Sequence, residues 1–220
     1  MSYLRRHWYD LSAAIGLGIL VTLFVFWNDF NVLQRLSIAN LAVIFLHFFE
    51  EFGIPGGFGK FANTLLVPNS PAIDRWPLNQ NSVMIGNWSF AALFYLPPIF
   101  FPDVMVLGLM PMLFGSIGQM LSHGILNNVR LKAAGLRYGY NSGLVTALFG
   151  HVPLAIAYGY YVQKMHLASP WDWVIAFLYA VFAYVVVFRL GIIRALQDEN
   201  SLHPFDKTEL DRFDHLYGRN

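Results

Sequence analysis

Residues 33–51 read LQRLSIANLAVIFLHFFEE, an apolar run that ends in two adjacent glutamates. A helix needs about 20 mostly apolar residues to cross the hydrocarbon core of a bilayer, and this run has nearly that length. Five similar runs occur along the chain, separated by short polar or charged clusters. We therefore expect membrane spans at residues 10–27, 33–49, 82–101, 104–127, 141–162 and 171–191. The sequence predicts an all-α fold, a polytopic transmembrane helical bundle of about six spans.

The composition of the 220 residues agrees with a membrane protein: 56% are hydrophobic, 12% are charged and the mean hydropathy is +0.48. An average soluble domain has about twice this charged fraction. The net charge is only +1 and no long run of Lys and Arg occurs, which excludes nucleic-acid binding. The chain has no cysteine, which excludes disulfides, iron–sulfur clusters and thiolate zinc sites. Any metal must therefore be bound by histidine, carboxylate or amide groups.

The basic residues predict the orientation of the chain. Of the 14 Lys and Arg residues, only Arg35 and Lys164 fall on the side of the predicted spans that lacks the termini. Because cytoplasmic loops carry the excess of Lys and Arg, we expect both termini in the cytoplasm and the chain in a bacterial inner membrane. The first run ends at Trp27 without a small-residue cleavage site, which favours a retained span over a signal peptide. We expect a membrane domain at residues 1–195 and a polar cytoplasmic tail at residues 196–220.

One polar patch stands out at the end of the second predicted span. His47, Glu50 and Glu51 are spaced by three and four residues, which places them on one face of a helix. An ionisable side chain within a membrane costs about 2.5 to 3.5 kcal/mol on insertion and usually serves a function. The alternative is structural: the glutamates mark where the span leaves the membrane, and His47 makes one interhelical hydrogen bond.

Two further histidines could join this patch. His123 and Asn127 are four residues apart at the end of the fourth predicted span. His151 lies about 15 Å inside the fifth span, so it reaches the patch only through a kink such as Pro153 would produce. We expect a divalent metal, zinc rather than iron, with His47, Glu51, His123 and His151 as candidate ligands. Glu50 is then a fourth ligand or the catalytic base that activates water.

The longest connection, at residues 52–81, is rich in glycine and proline. A long loop without periodicity in a compact protein is more often functional than an idle linker. Its glycines permit hinge motion, and it follows Glu51 directly. The pattern predicts a lid that covers the polar patch from the cytoplasmic side.

The patch and three later features resemble a known family. His47, Glu50 and Glu51 are followed by a Pro/Gly-rich segment with Asn63, by His123, and by residues 137–147, RYGYNSGLVTA. In this order they resemble the integral membrane proteins named for their HXXEE motif, over roughly residues 38–160. Ser142 stands where that family usually has a proline. The resemblance implies a membrane protein of undetermined biochemistry.

Three functions fit these features. The first is a metal-dependent membrane enzyme, a hydrolase of a lipid or another hydrophobic substrate, since a metal and a glutamate suffice for hydrolysis. The second is a proton-coupled transporter in which His47, Glu50 and Glu51 titrate. The third is a lipid-binding membrane protein with a structural metal. The expected partners are membrane lipids, a hydrophobic small-molecule substrate and a second copy of the chain, with no nucleic acid.

Overall fold

A computed structural model describes residues 2–67 and 69–218 of the chain. Within these ranges the regular structure is helical, and six helices are long and apolar enough to cross a membrane. Spans 1 to 6 are Trp8–Val25, Val32–Phe52, Gln80–Phe100, Met105–Ala133, Leu144–Lys164 and Pro170–Leu196. This confirms the predicted all-α bundle, and each predicted span overlaps one helix. Spans 4 and 6 continue past their predicted ends at residues 127 and 191, because their helices run on through polar residues.

Several spans contain stretches of wider, π-helical turns. These are Ala91–Tyr95 in span 3, Phe114–Gly118 and Met120–Leu126 in span 4, Ala147–His151 in span 5 and Ala183–Ile193 in span 6. Proline cannot donate the usual helical hydrogen bond, and Pro97, Pro111 and Pro153 each lie within a turn of one such stretch. π-helical turns often occur at functional sites, and His123 and His151 both lie within them.

Span 2 is the centre of the bundle. Half of its most apolar 18-residue stretch is buried, against 17% to 39% for the other five spans. Span 1 packs along it so closely that a Cβ on Gly16 would lie 2.9 Å from the carbonyl oxygen of Ala42. Because span 2 contacts spans 1, 3, 4 and 5, its polar end is enclosed by the other helices.

Both termini lie at the same end of the bundle, which we call the terminal end. Short helices there are Ser2–Arg6, Phe58–Phe61 with the following π-helical Ala62–Leu66, and Lys207–Tyr217. Arg5 Nε lies 3.4 Å from Asn81 Oδ1 at the start of span 3, which joins the N-terminal segment to this end. A 3₁₀ turn, Trp27–Asp29, connects spans 1 and 2 at the opposite end. Which end faces the cytoplasm stays a prediction.

The segment that we expected to be a polar tail contains a packed helix. Asp206 caps Lys207–Tyr217, since its side chain accepts a hydrogen bond from Glu209 N at 2.9 Å. Phe213 and Tyr217 are buried on one side of this helix, and Lys60 Nζ pairs with Asp214 at 2.7 Å. We call this element the C-terminal helix. The division of the chain at residue 195 stays a prediction, but residues 207–217 pack against the bundle.

Candidate metal centre

Three buried side chains meet at the terminal end of span 2. His47 and Glu51 come from successive turns of that span, and His123 comes from span 4; they are 1%, 7% and 1% exposed. Glu51 Oε1 lies 3.7 Å from His47 Nε2 and 3.4 Å from His123 Nε2. One ligand atom of each side chain lies within 4.8 Å of the others. This group, which we call the His–Glu–His site, could hold a metal ion.

The hydrogen bonds around His47 determine which ring nitrogen carries the proton. Its Nδ1 atom lies 2.8 Å from Thr146 Oγ1, and the Thr146 hydroxyl donates to Glu50 Oε2. A hydroxyl has one proton to donate, so Thr146 must accept from Nδ1–H of His47. The Nε2 atom is left with a free lone pair, and it has no hydrogen-bond partner among the described residues. Metal-bound histidines characteristically hold their second nitrogen in this way.

His123 is held in the same tautomer by Asn141. Asn141 Nδ2 donates to the backbone carbonyl of His123 at 2.7 Å, which fixes the orientation of the amide group. Its Oδ1 atom then lies 2.9 Å from His123 Nδ1 and accepts that proton. The lone pair of His123 Nε2 therefore faces Glu51. Three electron-pair donors at these separations repel one another unless a cation, either a metal ion or a proton on Glu51, lies between them.

Gly143, the residue before span 5, makes room for His123. It has a φ of +98°, which a residue with a Cβ rarely adopts. A Cβ at this position would also overlap the imidazole ring of His123. Gly115 does the same for His151, because a Cβ there would lie 2.6 Å from His151 Nδ1. Both histidine rings thus occupy space that only glycine leaves open.

Glu50 forms hydrogen bonds with the first turn of span 5. Its carboxylate accepts hydrogen bonds from Val145 N at 3.0 Å, Thr146 N at 2.8 Å, the Thr146 hydroxyl and Tyr140 OH at 3.1 Å. A carboxylate at a helix N-terminus satisfies unpaired N–H groups and complements the helix dipole. Burial, together with the nearby Glu50 carboxylate, raises the pKa of Tyr140, so its hydroxyl stays protonated and donates. Both carboxylate oxygens of Glu50 already accept hydrogen bonds. Its role as catalytic base or fourth ligand stays a prediction.

His151 lies beside the site without completing it. Its ring centroid is 5.9 Å from that of His47, and its Nδ1 atom is 2.7 Å from Asn40 Oδ1. Its Nε2 atom is buried and has no hydrogen-bond partner within the described part of the chain. The ligand atoms that lie within 4.8 Å of one another belong to His47, Glu51 and His123. His151 as a fourth ligand therefore stays a prediction.

An apolar cavity of about 540 Å³ adjoins the site, with His47, Glu51 and His123 in its wall. Residues 52–81, which we predicted as a lid, contribute Phe58, Ala62, Leu66, Val67, Pro77 and Leu78 to this wall. The Phe58 ring lies 5.9 Å from the His123 ring. The segment thus lies directly against the site, while its motion stays a prediction.

The C-terminal helix forms hydrogen bonds with residues next to the site. We did not predict this helix from the sequence. Arg212 Nη1 donates to the carbonyl oxygen of Phe52, the last residue of span 2, at 2.6 Å. Tyr217 OH accepts from Ser142 N at 3.0 Å, a bond that proline at position 142 could not form. The available signal was Asp206 followed by Glu209, which is a capping pattern, together with the helical spacing of Leu210, Phe213 and Tyr217.

A family model described as "Protein of unknown function with HXXEE motif" matches residues 38–158, more than half of the chain. The chain belongs to the HXXEE family. Within the HXXEE motif, His47 and Glu51 enter the His–Glu–His site, whereas Glu50 holds the first turn of span 5. The family match also covers His123, Asn141 and Thr146, which orient or complete that site. No curated protein and no solved structure matches the chain.

Proposed function

We propose that this HXXEE protein is a metal-dependent membrane enzyme, a hydrolase that acts on a lipid or another hydrophobic substrate. The observation that carries the proposal is the position of the His–Glu–His site in the wall of an apolar cavity. Pockets that bind small molecules are mostly apolar, with a few convergent polar groups that fix orientation. This combination suits a hydrophobic molecule with one reactive polar group.

The donor set favours a catalytic metal. Two imidazole nitrogens and one carboxylate oxygen leave a coordination position open, as in catalytic zinc sites and in non-haem iron sites. Zinc is the better candidate because hydrolysis needs no redox change. A divalent cation bound there would polarise a carbonyl oxygen and lower the pKa of a water molecule.

The protein residues divide into ligands and positioning groups. His47 and His123 offer Nε2 and Glu51 offers Oε1, while Thr146 and Asn141 hold the two imidazoles in the required tautomer. Glu50, which we predicted as a base, is proposed here as a positioning residue that acts through Thr146. In the proposed reaction water is added across an acyl ester. The bond between the acyl carbon and the alkoxy oxygen breaks, the hydroxyl goes to the acyl carbon and the proton to the alcohol.

A proton-coupled transporter is the second candidate function, and one observation favours it. Polar atoms continue from the site towards the opposite end of span 2: His151 Nε2, Asn40 Nδ2, Ser37 Oγ and Tyr95 OH are buried without partners among the described residues. Such groups within a membrane are typical of ion and proton pathways. A carrier of this kind needs no bound metal, so that metal dependence separates the two functions.

The hydrolase is tested with the full chain reconstituted in proteoliposomes that contain ester lipids. We expect release of fatty acid that stops when a chelator strips the metal and resumes when zinc is added. His47→Ala and His123→Ala should be inactive, whereas His215→Ala, which alters an exposed histidine of the C-terminal helix, should match the wild type. Proton uptake that needs no metal and is not accompanied by hydrolysis would contradict the hydrolase and support the transporter.

A further inference from the structure

Two arginines line the cavity that adjoins the His–Glu–His site. Arg130 lies near the terminal end of span 4 and Arg189 near that of span 6. Three other cations at this end have protein acceptors: Lys60 pairs with Asp214, Arg75 with Asp74, and Arg212 donates to Phe52 O. Within residues 2–67 and 69–218, the side chains of Arg130 and Arg189 form neither a hydrogen bond nor an ion pair. Both remain available to an anion from outside the protein.

The spacing between Arg130 and the His–Glu–His site suits a ligand with an anionic group at one end and an apolar chain at the other. Arg130 and His123 both lie in the wall of this cavity, and Arg130 follows His123 by seven residues, about 10 Å along the helix axis. Arg130 is nearer to the terminal end. If the anionic group of a bound molecule contacts Arg130, the next part of that molecule, deeper in the membrane, lies at the level of His123. In a glycerophospholipid, the ester groups lie just inside the phosphate.

Spans 4 and 6 contribute apolar side chains to the cavity wall that neighbouring helices leave partly uncovered. The wall includes Ile117 and Leu121 from span 4 and Phe177 and Val181 from span 6. Each of these side chains is about half exposed. The approach at the terminal end is instead covered by Phe58 and Leu66 of the lid segment. This arrangement favours lateral entry of a ligand from the bilayer, with an acyl chain among the apolar side chains.

We propose that the cavity binds an anionic phospholipid, with the phosphate on Arg130 and Arg189, an acyl chain in the apolar space and an ester group at the His–Glu–His site. This names the substrate class of the proposed hydrolase and rests on that function for the reaction, though not for binding. Guanidinium groups bind phosphate through paired, charge-assisted hydrogen bonds. Neither arginine is a metal ligand, so their substitution leaves the metal site intact.

The experiment measures binding of dioctanoyl phosphatidylglycerol to the purified full chain by native mass spectrometry, at matched concentrations of protein and lipid. The double variant R130Q/R189Q should bind this lipid about tenfold more weakly or worse, since each substitution removes charge-assisted hydrogen bonds to the phosphate. Lys132→Gln and Arg194→Gln remove the same charge from spans 4 and 6 outside the cavity wall, and should bind as the wild type does.

Two further arms identify the source of the phosphate. Glycerol phosphate, which has no acyl chain, should bind far more weakly than the lipid; equal binding would overturn the lipid assignment. Unchanged lipid binding by R130Q/R189Q, or an equal loss in the control variants, would overturn the role of the two arginines. Bound metal, measured in the same samples, separates the two proposals: arginine-dependent lipid binding by a protein that lacks metal would sustain this inference and contradict the hydrolase.

Discussion

His123 Nε2 lies 3.4 Å from Glu51 Oε1, although the two residues belong to different spans. The single N–H proton of His123 is not directed at Glu51, because it lies on Nδ1 and Asn141 accepts it. The contact thus joins a lone pair to a carboxylate oxygen, and His47 Nε2 adds a second lone pair. A bound cation would convert this repulsion into attraction.

Asn141 should control metal affinity without being a ligand. Replacing Asn141 by leucine removes the acceptor that holds His123 Nδ1–H, and we expect metal affinity to fall about 10- to 100-fold, as for other groups that orient a ligand. Asn141→Asp keeps an acceptor and should lose less. Competition with a chelator of known affinity provides the measurement, and equal affinities for the wild type and Asn141→Leu would contradict the assigned tautomer.

Glu50 should matter for both stability and the metal. Glu50→Gln replaces a charged acceptor of four hydrogen bonds, and each hydrogen bond to a charged group contributes about 1.5 to 3 kcal/mol. We expect a lower melting temperature in detergent and weaker metal retention, because Thr146 no longer holds His47. Glu199→Gln, which changes an exposed residue of the terminal end, serves as the matched control. A stable, metal-replete but inactive Glu50→Gln protein would instead support Glu50 as the catalytic base.

Gly143 and Gly139 form a matched pair that separates backbone strain from overlap with the site. Both have positive φ, +98° and +107°, but a Cβ on Gly139 would meet no atom within 4 Å. Gly139→Ala should therefore cost about 1 to 3 kcal/mol, for its backbone conformation alone. Gly143→Ala must in addition displace His123, and we expect a larger loss of stability and reduced metal binding. Equal effects in thermal melts and metal titrations would show that the His123 ring is not confined by this glycine.

Glu209, in the C-terminal helix, should give the stability a pH dependence. Burial, as the largest cause, raises the pKa of this carboxyl group, so the folded protein binds its proton more tightly than the unfolded chain. The contribution to stability is then greatest below the unfolded pKa of about 4.3 and declines as pH rises through the raised value. Relative to Glu209→Gln, the wild type should lose melting temperature as the pH rises above about 4.3, the pKa of this carboxyl group in the unfolded chain. A difference that stays constant, or that grows with pH, would refute this assignment.

The topology prediction concerns the side of the membrane that the terminal end faces. We expect a fluorescent protein fused after the C-terminus to be fluorescent in bacterial cells and a periplasmic phosphatase reporter to be inactive. The reason is that only Arg35 and Lys164, of 14 basic residues, lie at the other end. Active phosphatase at this position would reverse the orientation.

The sequence could predict the spans and part of the site for definite physical reasons. Apolar runs of bilayer length have few alternatives to a spanning helix, and helical spacing alone places His47 and Glu51 on one face. The partners of these residues were not predictable, because Thr146 and Asn141 meet them only through packing between spans. The same holds for Glu50, whose hydrogen bonds depend on where span 5 begins.

Two elements escaped prediction because their signals are weak without tertiary context. The C-terminal helix has few apolar residues, and its buried side becomes evident only where Phe213 and Tyr217 pack under the lid segment. Arg130 and Arg189 look like ordinary positive-inside residues in the sequence. Their common position on one cavity wall requires the packing of span 6 beside span 4.

The most direct test of the account is the metal content of the purified full chain, measured by inductively coupled plasma mass spectrometry after expression with zinc and iron supplied. We expect stoichiometric metal in the wild type and in His215→Ala, and its loss in His47→Ala and His123→Ala, because each of these removes one of the two imidazole ligands. A wild-type protein without metal, or two histidine variants that keep the full wild-type amount, would contradict the metal centre.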